Sequence, residues 1–200
     1  AAGAALAVAG VVMQALTRNP LADPGILGVN AGASFAVAFG IVVLGVSDFG
    51  STMWLAFLGA GVASVAVALL GSVGQRSIAR LALAGVAGGA VLAGLTAALS
   101  LIDPMTYTTI RLWEAGSLAG RDLSAAGLTL TVVAVGVVLA LATGPGLNVL
   151  VLGTGAARAL GARVGYVQVT GLLSIVLLAG AATAAVGPIA FVGLMVPHAI

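Results

Sequence analysis

Side chains able to do chemistry are scarce in this sequence, and most of them fall into four short stretches. The first, QALTRNPLADPGILGVN, carries Gln14, Arg18, Asn19, Asp23 and Asn30 around Pro20 and Pro24. The second, DPMTYTTIRLWEAGSLAGRD over 103–122, carries Asp103, Tyr107, Arg111, Trp113, Glu114, Arg121 and Asp122. The third, GPGLNVLVLGTGAARALGAR over 144–163, holds Thr154, Arg158 and Arg163, and the fourth runs from Gly187-Pro188 to Pro197-His198. None assembles a catalytic set. No Gly-x-x-x-x-Gly-Lys-Ser/Thr motif is present to cradle ATP phosphates. No paired carboxylates or Ser/His set occur, and His198 has no second His or nearby carboxylate with which to hold a metal. With no cysteine, disulfides and thiolate metal sites are excluded as well. The sequence calls for no cofactor.

The elements that must position these stretches are hydrophobic. The chain is 62% hydrophobic and 6% charged, whereas soluble domains carry roughly a quarter charged residues. There is too little polar surface to cover a water-soluble globule, so the expectation is an all-α, polytopic transmembrane helical bundle. Apolar runs near the ~20 residues needed to span hydrocarbon lie at 1–16, 31–46, 53–74, 81–102, 123–143 and 164–186, with a seventh starting at Pro188. The run 31–46 is short for a full crossing. Long, continuous Ala/Leu/Val-rich runs without period-2 alternation favour helices over barrel strands. All 200 residues read as one permeating or structural membrane domain. Apolar sequence at both ends leads us to expect a piece of a longer protein.

Loop charge orients the bundle. The loops 17–30, 75–80 and 144–163 together carry five Arg (Arg18, Arg76, Arg80, Arg158, Arg163) and one acid, Asp23. The opposite set carries two Arg and four acids, so the positive-inside rule places the first set in the cytoplasm. The seven Arg form no basic run, which argues against nucleic-acid binding. No charge interrupts the spans, whereas proton-coupled carriers place Asp, Glu or His within the membrane.

Local chemistry then shapes each stretch. Asn19-Pro20 and Asp23-Pro24 predict an extended, non-helical cytoplasmic loop, with Asn30 capping the helix that follows. Residues 105–115 predict a short external helix, with Tyr107 and Trp113 at headgroup level; anchoring or docking of an external partner both fit. Asp122 is expected to cap the next span. Gly144-Pro145-Gly146 is expected to end that span. Thr154 then N-caps a helical turn Gly155–Leu160 that Gly161 terminates, with Ala157 and Leu160 on one flank and Arg158 on another. Such a turn is too short to stand alone and either lies on lipid or meets a cytoplasmic partner. Pro188 is expected at the first position of a new helix. Gly10–Pro20 and Gly187–Pro197 share a spacing that hints at duplication. Gly85, Gly89 and Ala93 smooth one face of their helix, for packing or for sliding.

The blocks QALTRNPLADPGILGVNAGASFAV, LALAGVAGGAV, WEAGSLAGRDL and GPIAFVGLMVPHAI resemble, in order, the permease subunits of the FecCD type. These belong to bacterial ABC importers for iron-siderophores, haem and vitamin B12. The resemblance implies a type II importer permease in the bacterial cytoplasmic membrane, of which this chain would hold about seven of ten spans. It implies a second permease subunit, two cytoplasmic ATPase subunits and an external substrate-binding protein as partners, and no ATPase site of its own. It further implies ATPase coupling through Gly153, Thr154, Ala157, Arg158, Leu160 and Gly161. Gln14, Asn19, Pro20, Asp23 and Pro24 would lie near a cytoplasmic gate. A carrier driven by an ion gradient would need intramembrane ion ligands, and a purely structural subunit would not need the stiff Asn19–Pro24 loop.

Overall fold

The computed structural model describes residues 1–72, 78–102, 104–116 and 123–199. Among them all regular structure is helical: α1 Ala2–Thr17, a 3-10 turn Pro24–Leu27, α2 Val29–Leu44, α3 Phe49–Ser72 and α4 Ile78–Ile102. There follow α5 Pro104–Glu114, α6 Leu123–Leu150, α7 Thr154–Ala159, α8 Val164–Val186 and α9 Val192–Ala199. The spans α3, α4, α6 and α8 are long and apolar enough to cross a membrane; α1 and α2 are shorter apolar helices. Arg76, Asp103, Arg121 and the expected cap Asp122 lie outside the described residues.

Helix α8 is the axis of the bundle. Ile175, Leu178, Ala179, Ala182 and Thr183 are almost wholly buried, and α1, α3 and α6 pack around it. In hydrocarbon there is no hydrophobic gain from helix association, so close van der Waals approach must supply it, and small residues provide that approach. Gly32 of α2 and Gly59 of α3 each lie against the other's carbonyl, leaving no room for a Cβ on either. Gly180 of α8 sits on Phe57 and Ala60 of α3. Gly136 of α6 sits on Leu178, where the buried Ser174 hydroxyl donates 2.9 Å to the Gly136 carbonyl. Gly10 of α1 meets the Gly193 backbone of α9.

Several expected boundaries move, each for a physical reason. Helix α6 does not end at Gly144-Pro145-Gly146 but runs on to Leu150 with Pro145 inside it. The proline removes one N–H. Burial of Leu147 and Leu150 and the seating of Gly146 on Val167 of α8 keep the chain helical. Pro188 does not start a helix; residues 187–190 are non-helical, and α9 begins at Val192 after Phe191, held at φ 67°. The Phe191 carbonyl accepts from the Leu194 and Met195 N–H groups. Pro20 lies beyond α1 whereas Pro197 lies inside α9, so the matched spacing does not mark equivalent positions. Asp48, not a residue near 53, opens α3: its carboxylate accepts 2.7 Å from the Ser51 N–H.

Two outcomes follow from this packing. Gly32→Ala should lower thermal stability in detergent by about 1–3 kcal/mol, because the added methyl meets backbone rather than a flexible side chain. Gly94→Ala, with open space around it, should be neutral or slightly stabilising. The hydrogen bonds from Ser51 hold the Asp48 carboxyl below its usual 3.8. A depressed folded-state pKa contributes stability above the unfolded value and loses it as pH falls through the folded one. The melting-temperature gap between the wild type and Asp48→Ala should therefore be full at neutral pH and close below pH 4 or so.

Candidate functional site

The first polar stretch is only partly a surface loop: Arg18, Pro20 and Leu21 are exposed, and the residues after them are not. Arg18 ends α1 in the left-handed conformation (φ 50°), and its neighbour's N–H, that of Asn19, reaches the Gln14 carbonyl at 3.2 Å. The chain then turns back into the bundle. Pro24 lies against Gly193, which itself touches Gly10, and the Ile26 carbonyl lies against Gly85 of α4. Gly10 and Gly85 are each seven residues inside their helices, roughly 10 Å at 1.5 Å per residue. The stretch thus passes from exposed Pro20 and Leu21 to buried Ala22, Pro24, Leu27 and Val29, and part of it is a 3-10 turn rather than extended chain.

A non-helical segment inside such a bundle must satisfy its own amides, and the polar residues do so. Asn19 Oδ1 accepts from the Leu21 N–H at 3.0 Å. Asp23 Oδ1 accepts from the Gly25 N–H at 2.7 Å, capping the 3-10 turn at whose first position Pro24 needs no donor. Gly28, at φ 74°, joins that turn to α2. Asn30 is not the cap of α2, as expected, but lies within its first turn, where its Oδ1 accepts 2.9 Å from the Thr183 hydroxyl of α8. Gln14 has a buried Nε2 with no partner among the described residues.

Beside this segment a cavity of about 550 Å³ opens between α2, α4, α5 and Pro188. Asn30 and Ser34 face it from α2, Thr96 and Ser100 from α4, and Tyr107, Arg111 and Glu114 from α5. The α4 hydroxyls donate backwards, Thr96 to the Leu92 carbonyl and Ser100 to the Thr96 carbonyl, both at 2.8 Å, so their oxygens offer acceptors to the cavity. Arg111 Nη1 donates 3.1 Å to Tyr107 Oη, and its guanidinium stands 5.3 Å from that ring's centre. Tyr107 thus faces the cavity, half exposed, and Trp113 is buried in the protein. The glycine-smooth face of α4 divides: Gly85 seats the re-entrant segment, Gly89 touches Ala31, and Ala93 lines the cavity.

At the end of the bundle, α7 differs from expectation at its start and agrees at its finish. Its N-cap is Gly153 (φ 102°) rather than Thr154, which is the first helical residue and makes no capping bond. Gly161 (φ 81°) donates to the Arg158 carbonyl and Ala162 to the Ala157 carbonyl, closing the helix as a Schellman motif. Ala157 is fully buried while Arg158 and Leu160 are exposed, so Leu160 does not share the Ala157 flank. Arg18 Nη1 lies 3.5 Å from the position a Gly153 Cβ would take, which joins the two stretches expected at the gate and at the coupling surface. Gly187 is buried against the Trp113 carbonyl, and Pro188 lies at the cavity rim. Pro197 lies inside the last helix, and exposed His198 bonds the Leu194 carbonyl through Nδ1 at 2.9 Å. No group of metal-holding side chains occurs among the described residues.

Asn30, Ala93, Tyr107, Arg111, Glu114 and Pro188 were singled out from the sequence, but not as one site, and Ser34, Thr96 and Ser100 were not singled out, although two signals were there. Ala93, Thr96, Ala97 and Ser100 recur at i, i+3, i+4 and i+7 in an otherwise apolar helix, and Tyr107, Arg111 and Glu114 repeat that spacing in α5.

Comparison with known proteins agrees with this architecture. The ferric enterobactin permease FepD of Escherichia coli is 53% identical over 199 residues, covering 98% of this chain and 60% of its own length. The hemin permease HmuU of Yersinia pestis is 38% identical, covering 99% of this chain and 61% of its own length. A solved inward-facing metal-chelate type ABC transporter superposes with a TM-score of 0.85 at 27% identity, over 99% of this chain and 64% of that one. The chain thus spans about three fifths of the length of its relatives. Its apolar helices and its relatives place it as a multi-pass protein of the bacterial cytoplasmic membrane. The model of the FecCD transport family matches residues 1–200 from end to end, and the chain belongs to that family.

Proposed function

We propose that this chain is the path-forming part of a permease subunit in an ATP-driven importer of iron chelates. The observation that carries the reading is the cavity: its wall is mostly apolar, and a few hydroxyl, amide, phenol and ionic side chains from α2, α4 and α5 stand along it. Polar groups inside a membrane bundle are costly, and lining a solute path accounts for them. The relatives transport ferric enterobactin, ferric hydroxamate, ferric citrate and hemin, so an iron chelate is the cargo class this reading adopts.

The chain has no nucleotide site, so energy enters from two cytoplasmic ATPase subunits, with a second permease subunit completing the path and an external binding protein delivering cargo. The exposed Arg158 and Leu160 on the closed turn of α7 form the ATPase contact, backed by buried Ala157 and bounded by Gly153, Thr154 and Gly161. The Arg18–Gly153 approach then gives motion at α7 a direct route to the re-entrant segment. Rigid bodies with two packings, rather than proton relays, do the switching.

Two experiments on the full-length protein with its partners test this. Cysteine placed at Ser34 or Ser100 is the first thiol in this sequence, and a bulky methanethiosulfonate should stop uptake from either position while leaving the Gly3→Cys variant active. Uptake that survives full labelling at both cavity positions would exclude the cavity as the path. Arg158→Glu or Leu160→Asp should sharply reduce ATPase co-purification with membrane insertion intact; normal co-purification of both would remove α7 from the interface.

A further inference from the structure

Hydroxyls in an apolar helix ordinarily spend their proton on the carbonyl one turn back. Thr17, Thr96, Thr143 and Thr170 all do so. Thr183 does not. It is 1% exposed on α8, outside the cavity wall, and its hydroxyl crosses to α2 to donate 2.9 Å to Asn30 Oδ1. An amide side chain has an acceptor end and a donor end, and a bond at one end fixes where the other points. Here the acceptor end is turned to α8.

The donor end is left unspent. Asn30 lines the cavity and makes no other side-chain hydrogen bond among the described residues. Its Nδ2 lies 4.0 Å from the position a Gly25 Cβ would take, and Gly25 carries no side chain to cover it. Ser34 stands one turn further along the same face of α2 and is 7% exposed. Unlike those threonines, it makes no bond back to the carbonyl of Asn30 or to any other group among the described residues. Two donors without protein partners thus line the α2 wall, while Thr96 and Ser100, their protons spent, offer acceptors from α4. A partly buried donor left without a partner is costly, and an acceptor on a ligand offsets that cost. In a mostly apolar cavity a few fixed polar groups decide how a solute is oriented.

Resting on the path reading of this cavity, we propose that Asn30 and Ser34 form a two-donor subsite for an oxygen acceptor on the solute. Thr183, which never meets the solute, is the positioning residue that turns the Asn30 amide toward it. Without the Thr183 hydroxyl the amide can rotate by half a turn and set its own oxygen against the solute's. The same bond also ties α2 to α8, and Asn30→Asp separates the two roles. A carboxylate still accepts from Thr183 but has no proton to donate to the cavity.

The test is ATP-dependent uptake by proteoliposomes holding the complete importer, with ferric enterobactin, ferric dicitrate, a ferric hydroxamate and hemin as probes. Rates are taken per folded importer against the concentration of loaded binding protein, beside the melting temperature of each variant. With a probe that the wild type carries, Asn30→Ala, Ser34→Ala and Thr183→Val should each lower kcat/KM about fivefold, the scale of one net hydrogen bond. Thr183→Ser should stay near the wild type. Asn30→Ala combined with Thr183→Val should fall no further than Asn30→Ala alone, because Thr183 acts through Asn30. Asn30→Asp should lose at least as much uptake as Asn30→Ala while melting close to the wild type. An Asn30→Asp variant with wild-type uptake overturns the proposal and leaves the bond a structural tie alone. So does unchanged uptake in Thr183→Val or Ser34→Ala, a Thr183→Ser variant as poor as Thr183→Val, or additive losses in the double variant. A wild type that takes up none of the four probes overturns the importer reading, and normal uptake after full thiol labelling of Ser100→Cys overturns the cavity as the path; in either case the subsite falls with it.

Discussion

Non-helical backbone from Ala22 to Gly28 packs among the helices of an apolar bundle, and that constraint governs the rest of the structure. Irregular backbone at membrane depth persists only where protein partners satisfy it. Here the partners are local: Asn19 and Asp23 accept from amides two residues on, and the 3-10 turn closes the Asp23–Gly28 stretch. Proline at position 24 removes one donor that would otherwise need an acceptor. With its amides satisfied, the segment can be packed by backbone contact, and Gly85 and Gly193 come close enough to accept it. The result is a short α2 that begins inside the bundle, bringing Asn30 and Ser34 to the cavity.

Glycine does two different jobs here. At Gly32, Gly59 and Gly136 its missing side chain lets helices touch, and the contacts are static. At Gly28, Gly153 and Gly161 its positive φ lets the chain reverse within one residue. The half of α4 beyond Gly89 has little packed against it other than the cavity and α5, in contrast to α8, whose surface is mostly buried. In the proposed importer α8 would be the packed centre and the edge of α4 and α5 the solute-facing surface.

The helical class, the apolar spans and the short α5 and α7 were legible in the sequence because each rests on local composition and spacing. The re-entrant course of residues 18–28 was not. Its prolines announce a break in the helix, but only tertiary contacts at Gly85 and Gly193 decide that the break folds inward. Pro145 misled for the complementary reason: packing of Leu147 and Leu150 outweighed a local helix breaker. Asn30 looked like a cap because its type favours caps, yet Thr183, 153 residues away, claims its side chain. The cavity was half legible, since the stripes of Thr96 and Ser100 on α4 and of Tyr107, Arg111 and Glu114 on α5 show in the spacing while their meeting across one cavity does not.

The central claim is that this chain moves an iron chelate using energy from a partner's ATP. Its most direct test is uptake of iron-55 chelates into proteoliposomes containing the full-length protein, its ATPase and its binding protein, with ATP supplied or withheld. The account predicts uptake that requires ATP and stops with vanadate. Uptake driven by a proton or sodium gradient in the absence of ATP would contradict it.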